Sequence, residues 1–310
     1  DLTITANGDL TDSGTVAVTG TTSLNVTGNN ITLDDGSNNF STVTIQPANN
    51  VTLVDTNALV LGASTVGGVL NVTVGGELTD SGTVAVTGNT FLTAGSNNIT
   101  LDDGSNAFST VSIISSNNAT LVDTNALILG ASTVSGDLTI TANGDLTDSG
   151  TVAVTGTTSL NVTGNNITLD DGSNDFSAVT ISSSNNATLV DANLITLNAS
   201  TISGALNVSA QDLAIGGALS VTGSASITES NGDGIGLGDT TIAGGLNLTG
   251  AELQNITSAG LSLTTSGNVT VDNITAANSN SISGTVTIDS GNNVSFLTAD
   301  STFNALDVQA

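Results

Sequence analysis

The chain has 310 residues, with 27 Asp and Glu, no Lys, Arg or His, no Cys, Met, Trp or Tyr, and a formal net charge of −27. With no base to neutralise phosphate, binding to nucleic acid and direct attraction to an anionic membrane are excluded. Without imidazole or thiolate, zinc, haem and iron–sulfur centres lose their usual ligands and every triad built on those groups is gone, so the composition argues against an enzyme and requires no cofactor.

Val, Ile, Leu and Ala supply nearly all of the 37% hydrophobic content, beside 36 Gly, six Phe and one Pro. That β-branched content is too high for a typical disordered segment, so periodicity decides the class. From the amino terminus, short alternating segments run Leu2-Thr3-Ile4, Val16-Ala17-Val18, Leu24-Asn25-Val26, Ile31-Thr32-Leu33, Val43-Thr44-Ile45, Val51-Thr52-Leu53 and Leu59-Val60-Leu61. Gly, Asn or Asp-Gly separates them, which predicts half-buried strands; no window carries apolar residues at helical spacing. No run of 18 apolar residues occurs, and no basic leader opens the chain,. The start at Asp1, inside a repeat, reads as a mature piece or a fragment of something longer.

The segments repeat. LTDSGTVAVTG begins at Leu10, Leu78 and Leu146, and ITLDDGSN at Ile31, Ile99 and Ile167, both at steps of 68, while residues 1–38 are identical to residues 137–174. A shorter spacing lies inside this period: a Leu-x-Asp step places Asp12, Asp35, Asp55, Asp80, Asp103, Asp123, Asp148, Asp171 and Asp191 at intervals of 23, 20 and 25. One Asp per turn predicts three coils of about 22 residues in each 68-residue repeat, stacked so that neighbouring coils bury a common interior. The fold class is therefore all-β, a parallel β-solenoid (β-helix), regular over residues 1–204 and continuing with irregular coils over 205–310. The whole chain would make about 14 coils spaced by roughly 4.8 Å.

Within such a coil the aliphatic residues stack like on like. Phe40, Phe108 and Phe176, again 68 apart, read as core residues. The Asn pairs, Asn29-Asn30, Asn49-Asn50, Asn97-Asn98, Asn117-Asn118, Asn165-Asn166, Asn185-Asn186 and Asn292-Asn293, sit between strands, where they are predicted to form corner ladders,. If one coil carries one Leu-x-Asp, the nine carboxylates line one edge with no cation in the chain to pair them. Unit charges at that spacing repel by roughly 0.9 kcal/mol in bulk water. Adjacent carboxylates and turn carbonyls are the hard ligands Ca²⁺ prefers, so the nine Asp form a candidate cation ladder. The competing interpretation makes them turn residues whose carboxylates accept local backbone N–H bonds. Asn231-Gly232-Asp233-Gly234-Ile235-Gly236-Leu237-Gly238-Asp239 is similar to a Ca²⁺-binding Gly-Asp nonapeptide but occurs once, so it reads as a Gly-rich turn,.

The tandem units NNITLDDGSN-x-FST, NATLVDTNALILGASTVSG and LTITANGDLTDSGTVAVTG resemble the repeats of bacterial filamentous-haemagglutinin-type exoproteins. The resemblance implies a right-handed parallel β-helix exported to the cell surface as an adhesin. The expected function is a structural or adhesive rod, extracellular or on the bacterial surface, meeting a host, surface or glycan receptor. The alternative is a self-assembling filament or sheath subunit joined to copies of itself, with Ca²⁺ as a candidate cofactor.

Overall fold

The computed structural model describes residues 1–310 as a parallel β-solenoid whose only helices are the short segments Gly250–Gln254 and Ala276–Ser279. The chain divides into two compact units, Asp1–Gly156 and Thr157–Ala310. In the first unit the strands alternate between two parallel sheets. One takes Leu2–Thr5, Ala17–Asn25, Asn39–Ile45, Leu59–Leu61, Leu78–Asp80, Ile99–Leu101, Ala119–Asp123 and Leu138–Ala142; the other takes Leu10–Thr11, Ile31–Leu33, Val51–Asp55, Leu70–Val74, Asn89–Thr93, Thr110–Ser115, Leu127–Leu129 and Leu146–Asp148. A coil contributes one strand to each sheet, and short strands such as Ser64–Val66 and Val84–Val86 pair at the side.

Alternation decides which residues point inward. In Val51–Asp55 the side chains of Val51, Leu53 and Asp55 are buried while Thr52 and Val54 lie half-buried on the outer face. β-branched residues suit this pleated, one-sided burial. The register then stacks apolar on apolar: Leu10 pairs with Ile31, Ile31 with Val51, Val51 with Leu70. Phe40, Phe108 and Phe176 are all buried, as core residues should be. At the corners the Asn ladders form. Asn30 Oδ1 accepts from the Asn50 backbone N–H at 3.2 Å and from Asn50 Nδ2 at 3.1 Å, and Asn50 Oδ1 accepts the Val69 N–H at 2.9 Å. Asn166 Oδ1 accepts both bonds from Asn186 in the same way, and Asn98 Oδ1 accepts the Asn118 backbone N–H at 3.2 Å.

The register corrects the coil length. Leu10, Ile31, Val51, Leu70 and Thr90 are successive partners across the sheet, so each coil takes roughly 20 residues,. Between Leu2 and Leu138, two repeats apart and in one sheet, the chain makes seven coils. Each 68-residue repeat is thus three and a half coils of about 19 to 20 residues, not three of about 22. Ile31 and Ile99, one repeat apart, consequently lie in different sheets. The longest of the three Leu-x-Asp intervals is the misleading one. The steps from Asp12 to Asp35 and from Asp35 to Asp55 each span one coil, whereas that from Asp55 to Asp80 passes Leu59–Leu61, Leu70–Val74 and Leu78–Asp80. A coil and a half fits because the turn at Gly75-Gly76-Glu77 is so short. A Cβ on Gly75 would collide with the Thr56 carbonyl of the coil beside it.

In the second unit the sheet of Ile167–Leu169, Ala187–Val190, Leu206–Ala210, Ser224–Glu229, Gly260–Thr265, Val286–Ser290 and Leu306–Gln309 carries the solenoid past residue 205. Its one large irregularity is the long step from Ala225 to its partner Leu261. The added residues place Ile235–Gly238 and Leu246–Leu248 side by side as an extra parallel pair and then form the helix Gly250–Gln254, closed at its start by a capping box between Thr249 and Glu252,. The helix Ala276–Ser279 sits beside it, with Asn278 Nδ2 donating to the Gly250 carbonyl at 2.8 Å.

Thr22, Thr90 and Thr158 occupy the same place in successive repeats, fully buried and with no partner for the hydroxyl. Thr90→Val removes that desolvated group without changing shape and should raise stability by about 1 kcal/mol in denaturant unfolding. Ser132→Ala should do the opposite, lowering stability by about 1 to 3 kcal/mol. Its hydroxyl is shared between the Ile113 N–H at 3.0 Å and the Gly130 carbonyl at 2.8 Å.

Candidate functional site: the repeated carboxylates

The half-coil shift breaks the expected row of nine Asp into groups. Asp12, Asp35 and Asp55 end or follow strands of one sheet of the first unit, Asp80, Asp103 and Asp123 those of the other, and Asp148 returns to the first. In the second unit Asp171 and Asp191 follow the paired strands Ile167–Leu169 and Ala187–Val190. No three acids converge closely enough to share a metal ion.

Each position of the triplet has its own bonding. The first, Asp12, reaches forward to the next coil: its Oδ1 accepts the Asp34 N–H at 3.3 Å, and its Oδ2 accepts from Asn38 Nδ2 at 2.6 Å. Asp80 repeats this with the Asp102 N–H at 3.1 Å and with Asn106 Nδ2 at 2.5 Å. The second position closes a local Asx turn. Asp35, Asp103 and Asp171 each accept the N–H of the Ser two residues on, at 2.9 Å. The third is buried and reaches back. Asp55, Asp123 and Asp191 accept the N–H of Phe40, Phe108 and Phe176 on Oδ2 at 2.5 to 2.6 Å. Their Oδ1 atoms accept the N–H of Asn57, Asn125 and Asn193 at 2.6 to 2.9 Å.

Burial pushes the carboxyls of Asp55, Asp123 and Asp191 above the usual range; the two backbone N–H bonds on each oppose this without cancelling it, and the Asp175 charge adds to the rise at Asp191. A carboxyl whose folded pKa exceeds its unfolded one binds its proton more readily when folded. Its stabilisation is complete below the unfolded value near 3.8 and is lost as pH rises through the higher folded value,.

Sequence reasoning singled out the Asp of each turn but not the Asn that joins three coils. Asn38 is fully buried; Nδ2 donates to Asp12, Oδ1 accepts the Val16 N–H at 2.7 Å, and its carbonyl accepts the Thr56 N–H at 2.8 Å. Asn106 does the same for Asp80, Val84 and Thr124. A signal was present: ITLDDGSN keeps its final Asn in all three copies, while the next residue changes from Asn39 to Ala107 to Asp175. The glycine-rich stretch after Asn231 is part turn and part strand. Glu229, buried, accepts the N–H of Asn231 and of Gly232 at 2.9 Å and the Thr265 hydroxyl at 2.6 Å, while Gly232 and Gly234 take the positive φ that the turn demands,.

These contacts set two expectations. Asp123→Asn turns an amide NH₂ toward one of two backbone donors, leaving that N–H without an acceptor. It should destabilise the fold by about 1 to 3 kcal/mol, whereas Asp103→Asn, on an exposed turn, should change it by less than about 0.5 kcal/mol. In wild type the melting temperature should rise as pH is lowered from about 7 toward about 4.5, and Asp123→Asn should flatten that slope.

The model of a family described as repeats of unknown function (DUF5649) matches residues 1–46, 48–115, 116–183 and 184–237. No curated protein and no solved structure matches the chain. The matched segments 48–115 and 116–183 each span one 68-residue period, the same period that carries the Asp–Asn pin and the Asn ladder. With most of its length covered, this chain belongs to the family of DUF5649 repeats.

Proposed function

We propose that this solenoid is a structural or adhesive element of a secreted bacterial cell-surface protein, without catalysis of its own. One observation carries the reading: the inward-reaching carboxylates of the repeat are spent on holding coil to coil. The buried Asp55, Asp123 and Asp191 each bond two backbone N–H groups, and Asp12 and Asp80 bind the buried Asn38 and Asn106. The outer face carries many Thr, Asn and Ser side chains and negative charge with no Lys or Arg to pair it, beside scattered aliphatics such as Val54, Ile114 and Leu194, a surface suited to hydrated contacts with a host, surface or glycan receptor. The likeness of the repeats to filamentous-haemagglutinin-type exoproteins supports the same location and role.

Electron microscopy and binding assays on the purified chain test this. Discrete particles of single-chain size that adhere to a glycan or cell-surface array, and release no product from it, are expected. Continuous filaments would favour the self-assembling alternative, and turnover of a bound glycan would overturn the non-catalytic reading.

For the acidic groups we propose diffuse cation screening in place of built Ca²⁺ sites. Sodium chloride and calcium chloride at equal ionic strength should then raise the melting temperature by similar amounts. A rise with micromolar Ca²⁺ that sodium does not reproduce would instead establish specific sites among the nine Asp.

A further inference from the structure

The tripeptide Asn-Gly-Asp occurs three times, beginning at Asn7, Asn143 and Asn231. Asn before Gly is chemically labile, because a residue without Cβ leaves its backbone nitrogen free to approach the preceding side-chain amide. Since the tripeptide is the same at Asn143 and Asn231, a difference in reactivity between them has to come from the fold.

At Asn231 the fold gathers the parts of a ring closure. The N–H of Gly232, on the nitrogen that would attack, donates to both carboxylate oxygens of Glu229, at 2.9 and 3.0 Å. Glu229 is only 3% exposed, and the Thr265 hydroxyl holds it in place at 2.6 Å. Asn231 Oδ1 accepts the Asp233 N–H at 3.0 Å, an Asx turn that folds the side chain back over the Gly232 peptide and polarises the amide carbon,. Asn231 Nδ2 donates to Asp233 Oδ2 at 3.1 Å and to the Gly244 carbonyl at 3.0 Å, which fixes the amide plane. The residue is exposed, so water reaches it. Asn143 is placed differently. Its N–H donates to the Asp123 carbonyl at 3.1 Å as part of the ladder between coils, and Gly144 is pressed so closely on Ala126 that a Cβ would collide with the Ala126 nitrogen.

We propose that Asn231 is a self-modification site, where the side-chain amide is lost through a succinimide. Gly232 N attacks Asn231 Cγ while its proton passes to the Glu229 carboxylate, which acts as general base. As this C–N bond forms, the C–N bond of the side-chain amide breaks. The departing nitrogen takes a proton from water and leaves as ammonia, and Glu229 passes its own proton on to water. A water molecule then opens the ring, giving aspartate if it adds at one carbonyl and isoaspartate if it adds at the other. Ring closure also takes the Gly232 donor away from Glu229, leaving the buried carboxylate with Asn231, Gly234 and Thr265.

The test incubates the purified full chain at neutral pH, folded and in urea, and digests it with pepsin, since there is no Lys or Arg for trypsin to cut. Mass spectrometry of the peptides follows conversion of amide to acid at each Asn-Gly, with fragmentation separating isoaspartate from aspartate. In the folded chain Asn231 should convert at least about 10-fold faster than Asn143, and in urea the two rates should converge. Glu229→Gln keeps the shape of the side chain and removes the proton acceptor. It should slow Asn231 by at least about 10-fold and leave Asn143 unchanged. Conversion of Asn231 in the folded wild type no faster than that of Asn143 overturns the proposal, as does a folded Glu229→Gln chain with an undiminished rate at Asn231. If Glu229→Gln does not fold, the wild type decides alone: a ratio of the two rates that urea leaves unchanged overturns the assignment.

Discussion

Each coil is held to the next by parallel backbone hydrogen bonds, in register apart from local shifts such as those after Val18 and Leu92, and that ladder governs everything else in the molecule. Because side chains alternate with a period of two, a slip of one residue would turn every inward Leu, Val and Ile outward. Register and burial therefore enforce one another: Leu10 over Ile31 over Val51 over Leu70 is both a row of hydrogen-bonded partners and a row of core residues. An isolated coil has no second layer to bury its apolar face against, so stability comes from stacking and not from any coil alone.

Turns are where such a ladder is weakest, since the backbone leaves its strand partners and its N–H groups need other acceptors. This chain supplies them from side chains. Asn30 and Asn50 pass hydrogen bonds along one corner, Ser64 takes the Ile45 N–H, and the Asp of each Leu-x-Asp takes one or two more. A carboxylate offers acceptors on both oxygens where an amide offers one, which explains why Asp55, Asp123 and Asp191 are acids despite being buried. Burial raises their pKa, and the paired N–H bonds compensate only in part. The acidity of the chain is thus partly architectural, with those carboxylates facing inward to the backbone while others remain at exposed turns.

Much of this was legible beforehand for a physical reason: short-range alternation and exact repetition both survive in one dimension. Strands, parallel stacking, the buried Phe40, Phe108 and Phe176, and the Asn ladders follow from local pattern and from the regular period of the repeat. The placement of Asp12, Asp80 and their repeats was less accessible, because the interval from Asp55 to Asp80 looks like one long coil when it is one coil and a half. Asn38 was hidden differently. It sits in a polar turn where Asn is expected on the surface, yet Asp12 and the Val16 N–H satisfy its amide and permit complete burial.

The amino-acid sequence by itself determined that apolar residues alternate, that one unit is duplicated at a fixed period, and that no base exists to pair 27 acids. Only the tertiary structure decided how many turns that unit makes. The two sheets present equivalent inward rows, so Val51–Asp55 and Ala119–Asp123, repeat-mates, fit equally well in opposite sheets. Short turns then let each repeat advance by an extra half-coil. Spacing along the chain cannot report that choice, because it depends on how closely one turn can pack over another, and it is the choice that sends alternate groups of carboxylates to opposite sheets.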